Sequence, residues 1–103
     1  MIICAVIVTY NRAVKLEKSI HAIFAAKVAP QHVVVVDNGP SQESRDVLAG
    51  LKRSYQGIEV IETEQNIGGA GGFNLGLKAA YDLGATHFWL MDDDAYSNDT
   101  TLS

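Results

Sequence analysis

Residues His87–Asp94 read H-F-W-L-M-D-D-D, a mostly apolar run of five residues that leads directly into three consecutive aspartates. The apolar part is typical of a buried strand, so the three carboxylates would lie together at its tip. Like charges at this spacing repel one another unless a positive charge lies among them, and no lysine or arginine occurs within ten positions. Acidic oxygens held in place are suitable ligands for a hard divalent cation. The stretch therefore predicts a cation site at the end of a strand.

The same kind of apolar run occurs three more times, and amphipathic segments separate the runs. The predicted strands cover residues 1–9, 32–36, 58–61 and 87–91, and the predicted helices cover residues 14–27, 42–55 and 73–83. Ser41 is the expected N-cap of the second helix, and Gly84 fits the position just past the end of the third. The residues 66–72 are predicted to form a glycine-rich loop before the third helix.

Strands that alternate with helices predict an α/β fold, a Rossmann-like parallel sheet with helices on both faces. Right-handed crossovers and the usual doubly wound order place the four strands in the order 3-2-1-4. The switch point of that order lies between strands 1 and 4, where ligands of such folds bind beyond the carboxyl ends of the strands. Residues 9–12 and 92–94 are therefore expected to face each other, with Asp37–Gly39 alongside.

Composition excludes several classes of protein. The chain has 103 residues, of which 48% are hydrophobic and 19% charged, which predicts one globular domain. Its net charge of −4 and scattered basic residues argue against a nucleic-acid partner. The single cysteine, Cys4, lies in an apolar run and is expected to be a small buried hydrophobic residue. No apolar stretch reaches the length of a spanning helix and no signal peptide is recognisable, so we expect a cytoplasmic location, or a membrane-peripheral one in a longer protein.

The acidic residues each have an alternative, purely structural interpretation. Aspartates favour turns, and Asp93 would point away from the side shared by Asp92 and Asp94, so Asp93 is the member expected to be structural. Asp37 could cap a helix or form a turn with Gly39, but a carboxylate there is also well placed to accept a hydrogen bond from a ribose or a base. Arg12 could contact a diphosphate.

The glycine-rich segment matches neither of two common nucleotide motifs. Gly71 and Gly76 have the separation of a P-loop, but Leu77-Lys78 stands where lysine followed by serine or threonine is required. A dinucleotide fingerprint that begins at Gly69 meets Asn74 where its third glycine should be. Glycines at this density still indicate a close backbone approach to another group. The flanking asparagines, Asn66 and Asn74, could fix the loop through hydrogen bonds to its backbone.

Four motifs in this order resemble the family 2 glycosyltransferases of the GT-A fold. They are Ile7-Val8-Thr9-Tyr10-Asn11-Arg12 after strand 1, Val35-Val36-Asp37-Asn38-Gly39 after strand 2, Asn66-x-Gly68 with Asn74-x-Gly76, and Asp92-x-Asp94 after strand 4. The match covers nearly the whole chain, and the Gly-Gly-Ala-Gly-Gly-Phe segment looks most like the galactofuranosyl- and rhamnosyltransferase branch, which implies cell-wall or surface polysaccharide synthesis.

The resemblance implies a role for most of these residues. Thr9, Tyr10 and Asn11 would line the base, Asp37 would hydrogen-bond it, and Asp92 would contact the ribose or a metal. The residues so assigned to the nucleotide sugar are Thr9, Tyr10, Asn11, Arg12, Asp37, Asn38, Asn66, Gly68, Gly71, Asn74, Asp92 and Asp93. Asp92 and Asp94 would ligate Mg²⁺ or Mn²⁺, and the donor would be a UDP- or dTDP-sugar. The implied reaction is metal-dependent and inverting, with a glycan or lipid-linked acceptor.

Length is the main departure from that family. Its catalytic domains are at least twice as long, and their acceptor site and catalytic base follow the Asp-x-Asp element. We therefore expect residues 1–103 to be the nucleotide-sugar-binding part, the N-terminal half of a GT-A fold, with no catalytic residue of its own and a base beyond Ser103. Strand 4 would then have an open edge, through which the chain could associate with itself.

Two other classes of protein compete with the transferase interpretation. A phosphatase of the haloacid-dehalogenase type also has Asp-x-Asp after an apolar strand, but it requires threonine or valine at the position of Tyr96. An EF-hand fails because Ser97 stands where glycine is needed. A non-catalytic fragment that binds nucleotide and metal remains the principal alternative.

Overall fold

A computed structural model describes residues 1–10, 13–27, 29–64 and 67–92 of the chain. Strands and helices alternate from β1 to β4, as the hydrophobic pattern predicts. Their bounds are β1 Ile3–Thr9, α1 Ala13–Ala25, β2 His32–Asp37, α2 Gln42–Ser54, β3 Ile58–Glu62, α3 Gly68–Asp82 and β4 His87–Asp92.

The four strands form one parallel sheet in the order β3-β2-β1-β4. The predicted order 3-2-1-4 is therefore confirmed. The central residue Val6 of β1 pairs with Val34 of β2 on one side and with Leu90 of β4 on the other. The third strand lies at an edge, as its interruption by the exposed Glu59 predicts. No helix in the described ranges is both long enough and apolar enough to cross a membrane.

Alternate residues of β1 face opposite sides of the sheet. Ala5 and Ile7 pack with side chains of α1 and α2, whereas Cys4, Val6 and Val8 pack on the side covered by α3. Helices therefore cover both faces, and every residue of β1 is buried. Each valine or isoleucine buried in this way contributes about 1.5–3 kcal/mol to folding. Burial also raises the pKa of the Cys4 thiol to about 11, so the thiol stays protonated and unreactive at neutral pH.

The start of α2 is fixed by a reciprocal pair of hydrogen bonds. The Ser41 hydroxyl accepts from the backbone N–H of Ser44 at 3.1 Å, and the Ser44 hydroxyl accepts from the backbone N–H of Ser41 at 3.0 Å. These bonds satisfy two of the N–H groups that the first turn of a helix leaves unpaired. The predicted N-cap is confirmed, and α2 begins close to the carboxyl end of β2.

The prediction of a glycine-rich loop is wrong from residue 68 onwards, because α3 begins at Gly68. Two glycines of this helix lie directly against the sheet. A methyl group on Gly72 would lie 2.8 Å from Val8 Cγ1, and one on Gly76 would collide with the side chain of Val6. Glycine has a low helix propensity, but close packing on the sheet outweighs that preference here. Gly84, with φ +86°, follows the end of the helix as predicted.

We predict that Gly76→Ala destabilises the protein, whereas Gly50→Ala stabilises it. Overpacking against Val6 costs about 1–3 kcal/mol, which exceeds the gain of about 1 kcal/mol from alanine's better helix propensity. Gly50 is a matched control because it lies within α2 with nothing within 4 Å of an added methyl. Thermal unfolding should show a lower Tm for Gly76→Ala and a higher Tm for Gly50→Ala. Equal shifts in the two variants would contradict the close contact between α3 and the sheet.

Candidate functional site

Three of the predicted site residues lie at the carboxyl ends of neighbouring strands. Thr9 of β1 pairs with Asp37 of β2, and Val8 of β1 pairs with Asp92 of β4. Parallel strands bring these ends to the same edge of the sheet, on both sides of the expected switch point. Tyr10 follows β1 directly and is 55% exposed at this edge. The structure thus brings together Thr9, Tyr10, Asp37 and the backbone of Asp92.

Asp37 is the electrostatically unusual member of this group. Its side chain is fully buried, and Oδ1 accepts a hydrogen bond from the backbone N–H of Gly39 at 3.0 Å. Its Oδ2 is buried without a hydrogen-bond partner, and no other side-chain nitrogen or oxygen in the described residues shares that condition. A buried acceptor without a donor costs about 1–3 kcal/mol. A ligand that brings a donor to Oδ2 would remove this cost.

Asn38 is predicted from the sequence to bind the nucleotide, but its side chain forms hydrogen bonds with other residues of the protein. Its Nδ2 donates to the carbonyl of Gly68 at 3.1 Å, and its Oδ1 accepts from the Thr63 hydroxyl at 3.1 Å. Its backbone N–H donates to the carbonyl of Thr9 at 2.8 Å. Asn38 therefore connects the end of β1, the residue after β3 and the first residue of α3.

A positively charged side chain, Arg45, lies near the residues that Asn38 connects. Arg45 of α2 donates to Glu62, the last residue of β3, with 2.9 Å between Nε and Oε2. This hydrogen bond raises the pKa of Arg45, and the negative charges of Glu62 and Asp37 raise it further. Both partners are partly exposed, so solvent screens the pair and it contributes little to stability. Its main effect is to place a fixed positive charge near the Asp37 carboxylate.

The glycines assigned to the nucleotide belong to the first turn of α3. Gly68 has φ +77°, which favours glycine, and Gly71 packs close to the side chain of Ile67. The N-cap residue of α3 is Ile67, whose apolar side chain cannot accept a capping hydrogen bond. Asn74 lies exposed in the second turn, so it does not flank a loop as the sequence suggested. Its predicted loop-fixing role is therefore wrong.

An open cavity of about 540 Å³ adjoins this edge of the sheet. It lies between the end of β3 and the first two turns of α3, next to the Thr63 that bonds Asn38. The residues that line it are Glu62, Thr63, Glu64, Ile67 and Leu75.

Several predicted site residues lie outside the part of the chain that the structure describes. They are Asn11, Arg12, Asn66, Asp93 and Asp94. Asp92 is described only as the last residue of β4. Within the described ranges no group of three or more histidine, cysteine, aspartate or glutamate side chains could hold a metal ion. The metal site predicted at Asp92 and Asp94 stays a prediction.

Sequence reasoning missed Thr63, Arg45 and Glu62. Thr63 and Asn38 are 25 residues apart, and Arg45 and Glu62 are 17 residues apart. No local pattern marks such pairs, although the predicted parallel pairing of strands 2 and 3 would place residues 38 and 63 near each other. The strand register is the signal that could have identified Thr63.

Comparison with known protein sequences gives one family. The sequence profile described as Glycosyl transferase family 2 matches residues 4–103. Galactofuranosyltransferase GlfT1 of Mycolicibacterium smegmatis is 39% identical over an alignment of 103 positions, which covers 98% of this chain and 32% of that protein. An uncharacterized glycosyltransferase of Nostoc sp. is 34% identical over 96 residues, covering 93% of this chain and 29% of its own length. The chain thus spans about a third of the curated relatives it matches.

Solved structures show the same fold. A mannosyltransferase from Pyrobaculum calidifontis, in complex with GDP-Man and Mn²⁺, matches with a TM-score of 0.74 at 21% identity, over 89% of this chain and 27% of that one. S. aureus TarS in complex with UDP-GlcNAc matches with a TM-score of 0.71 at 22% identity, over 91% and 27% of the two chains. The predicted fold class, a Rossmann-like parallel sheet with helices on both faces, is confirmed and matches these GT-A glycosyltransferases.

We predict that Asp37→Asn does not destabilise the free protein. The substitution keeps an acceptor for the Gly39 N–H and replaces a buried, unpaired carboxylate oxygen with a neutral group, whose burial is less costly. Chemical denaturation should give a free energy of unfolding that is unchanged or higher by about 1 kcal/mol. Asp46→Asn on the exposed face of α2 is the control and should be neutral. A loss of more than about 1 kcal/mol in Asp37→Asn alone would show that the fold itself needs the charge.

Proposed function

The chain belongs to glycosyl transferase family 2, and we propose that it forms the part of a glycosyltransferase that binds the donor nucleotide sugar. The observation that carries this proposal is the unpartnered Oδ2 of Asp37, buried at the carboxyl edge of the sheet where ligands of such folds bind. The 39% identity to a galactofuranosyltransferase supports a sugar-transfer function for the longer protein.

An accepting oxygen such as Oδ2 is compatible with a uracil or thymine base. An ionised carboxylate can only accept hydrogen bonds, and uracil and thymine each present an N–H donor at N3. Cytosine presents an unprotonated nitrogen at that position, which would bring two acceptors together. Tyr10 follows Thr9, the residue of β1 that pairs with Asp37. Tyr10 is exposed, and its ring offers an aromatic surface for the base. We therefore propose a UDP- or dTDP-sugar as the donor.

The donor diphosphate would lie towards β4. The carboxylates of Asp92 and Asp94 are the oxygen ligands that Mg²⁺ and Mn²⁺ prefer, and Asp92 ends β4 beside the end of β1. When bound, the metal would offset the negative charge of the nucleoside diphosphate. The first turn of α3, with small residues from Gly68 to Gly72, would let the nucleotide approach the backbone closely. Asn11, Arg12, Asn66 and Asp93 complete the proposed binding set.

We propose that the longer protein transfers the sugar with inversion to a glycan or lipid-linked acceptor. In such a reaction the acceptor hydroxyl attacks the anomeric carbon while a carboxylate takes its proton. We place that carboxylate beyond residue 103, so residues 1–103 alone would bind the donor without transferring its sugar. The family match favours this function over a haloacid-dehalogenase-type phosphatase. A non-catalytic nucleotide-binding role is the second candidate, and the unpartnered Asp37 oxygen is compatible with both.

Titration calorimetry of residues 1–103 with UDP and CDP, each with Mn²⁺, tests the proposal. We expect UDP to bind more tightly than CDP, and Asp37→Asn to weaken UDP binding about tenfold or more, because a hydrogen bond to a charged group is lost. Asp94→Ala should remove the dependence of UDP binding on Mn²⁺. Asp46→Asn is the control and should bind UDP as the unaltered chain does. Equal affinity for UDP and CDP, together with no effect of Asp37→Asn, would contradict the proposed base contact.

We also propose that the chain associates with a second copy through the outer edge of β4. Within the described residues β4 pairs only with β1, and Leu90 on this strand is 42% exposed. An unpaired parallel edge of six residues is a suitable template for another strand. Light scattering should show dimers at high concentration, and Leu90→Lys should return the chain to a monomer. A monomer at every concentration would contradict this proposal and leave the nucleotide site unaffected.

A further inference from the structure

We propose that Asn38 is a positioning residue, which holds the start of α3 and the end of β3 beside Asp37 and does not itself contact the nucleotide. This inference rests on the proposed function, because it assigns the two neighbouring residues different parts of one binding site. Asp37 keeps an oxygen for the ligand, whereas Asn38 arranges the structure around it.

The hydrogen bonds of Asn38 support this assignment. Its side chain is only 4% exposed, and both ends of its amide are used, with Nδ2 donating to Gly68 and Oδ1 accepting from Thr63. Both ends of the amide are thus already engaged in hydrogen bonds within the protein. In contrast, the fully buried Asp37 has an oxygen without a partner.

Successive side chains of a strand point to opposite faces of the sheet, which explains why Asp37 and Asn38 have different surroundings. Val33 and Val35 of β2 face α1 and α2, whereas Val34 and Val36 face α3. Asp37 continues the first series, and Asn38 continues the second. The Asn38 amide consequently meets α3, and a methyl group on Gly72 would lie only 3.2 Å from its Nδ2.

Thr63 completes the arrangement from the edge of the sheet. Its backbone N–H donates to the carbonyl of Asp37 at 3.0 Å, and its hydroxyl donates to Asn38 Oδ1. Since β3 pairs only with β2 in the described sheet, these bonds fix where the segment after β3 leaves the sheet. That segment leads to Gly68, so Thr63 and Asn38 together set the position of the first turn of α3 relative to Asp37.

The test compares Asn38→Ala, Thr63→Val, Thr63→Ser and the double variant Asn38→Ala/Thr63→Val. UDP affinity is measured by calorimetry at a temperature far below each variant's unfolding transition, so that only folded protein is compared. Thr63→Val removes the hydroxyl at nearly constant volume, and Thr63→Ser restores it. We expect Thr63→Val to weaken UDP binding about fivefold, the usual effect of one neutral hydrogen bond. Asn38→Ala should weaken it at least as much, because it also removes the bond to Gly68. Thr63→Ser should bind within about twofold of the unaltered chain.

The double variant separates positioning from direct contact. If Asn38 acts by positioning, the double variant binds UDP about as weakly as Asn38→Ala alone, because the two substitutions break the same connection. Multiplied effects in the double variant would mean that Asn38 contributes to binding independently of Thr63, as a direct contact would, and would overturn the inference. A loss in Asn38→Ala with none in Thr63→Val would show that the bond to Thr63 positions nothing and would overturn it as well. Unchanged affinity in all variants would also overturn it while leaving the proposed function intact. No UDP binding by the unaltered chain would overturn both.

Discussion

The hydrogen bonds around Asp37 and Asn38 hold the carboxyl edge of this fold together. Through them the end of β2 is connected to Thr9 of β1, to Thr63 after β3 and to Gly68 of α3. Four segments distant in sequence thereby meet at two adjacent residues. The nearby ion pair of Arg45 with Glu62 adds a connection from α2 to the end of β3.

Among the described residues, Asp37 Oδ2 in this junction is the one buried side-chain polar atom without a partner, and it defines the candidate site. Native proteins pair almost all of their buried polar groups, so a fully buried carboxylate oxygen with no donor among the described residues is a candidate for binding a ligand. The surrounding bonds keep the oxygen in a fixed place, which reduces the cost of ordering the site when a ligand binds. The same hydrogen bonds therefore stabilise the carboxyl edge of the sheet and hold Asp37 in place for a ligand.

Much of this arrangement could be predicted from the sequence. Four apolar runs separated by amphipathic segments give the strand order, and the order brings Thr9, Asp37 and Asp92 to one edge. The N-cap at Ser41 follows from local chemistry. The glycines of α3 could not be placed correctly, because their helical conformation depends on close contact with Val6 and Val8, which propensity alone does not describe. The partners of Asn38 could not be predicted either, because its amide forms hydrogen bonds with Gly68 and Thr63, which are distant in sequence.

We propose that Asp37 Oδ2, buried without a partner, accepts a hydrogen bond from the base of the donor nucleotide. Proton NMR of the uracil N3–H in UDP bound to the chain tests this claim most directly. We predict that the imino proton of bound UDP shifts downfield and exchanges slowly with water, and that the Asp37→Asn variant loses this signal. An imino proton that exchanges as fast in bound UDP as in free UDP would contradict the account.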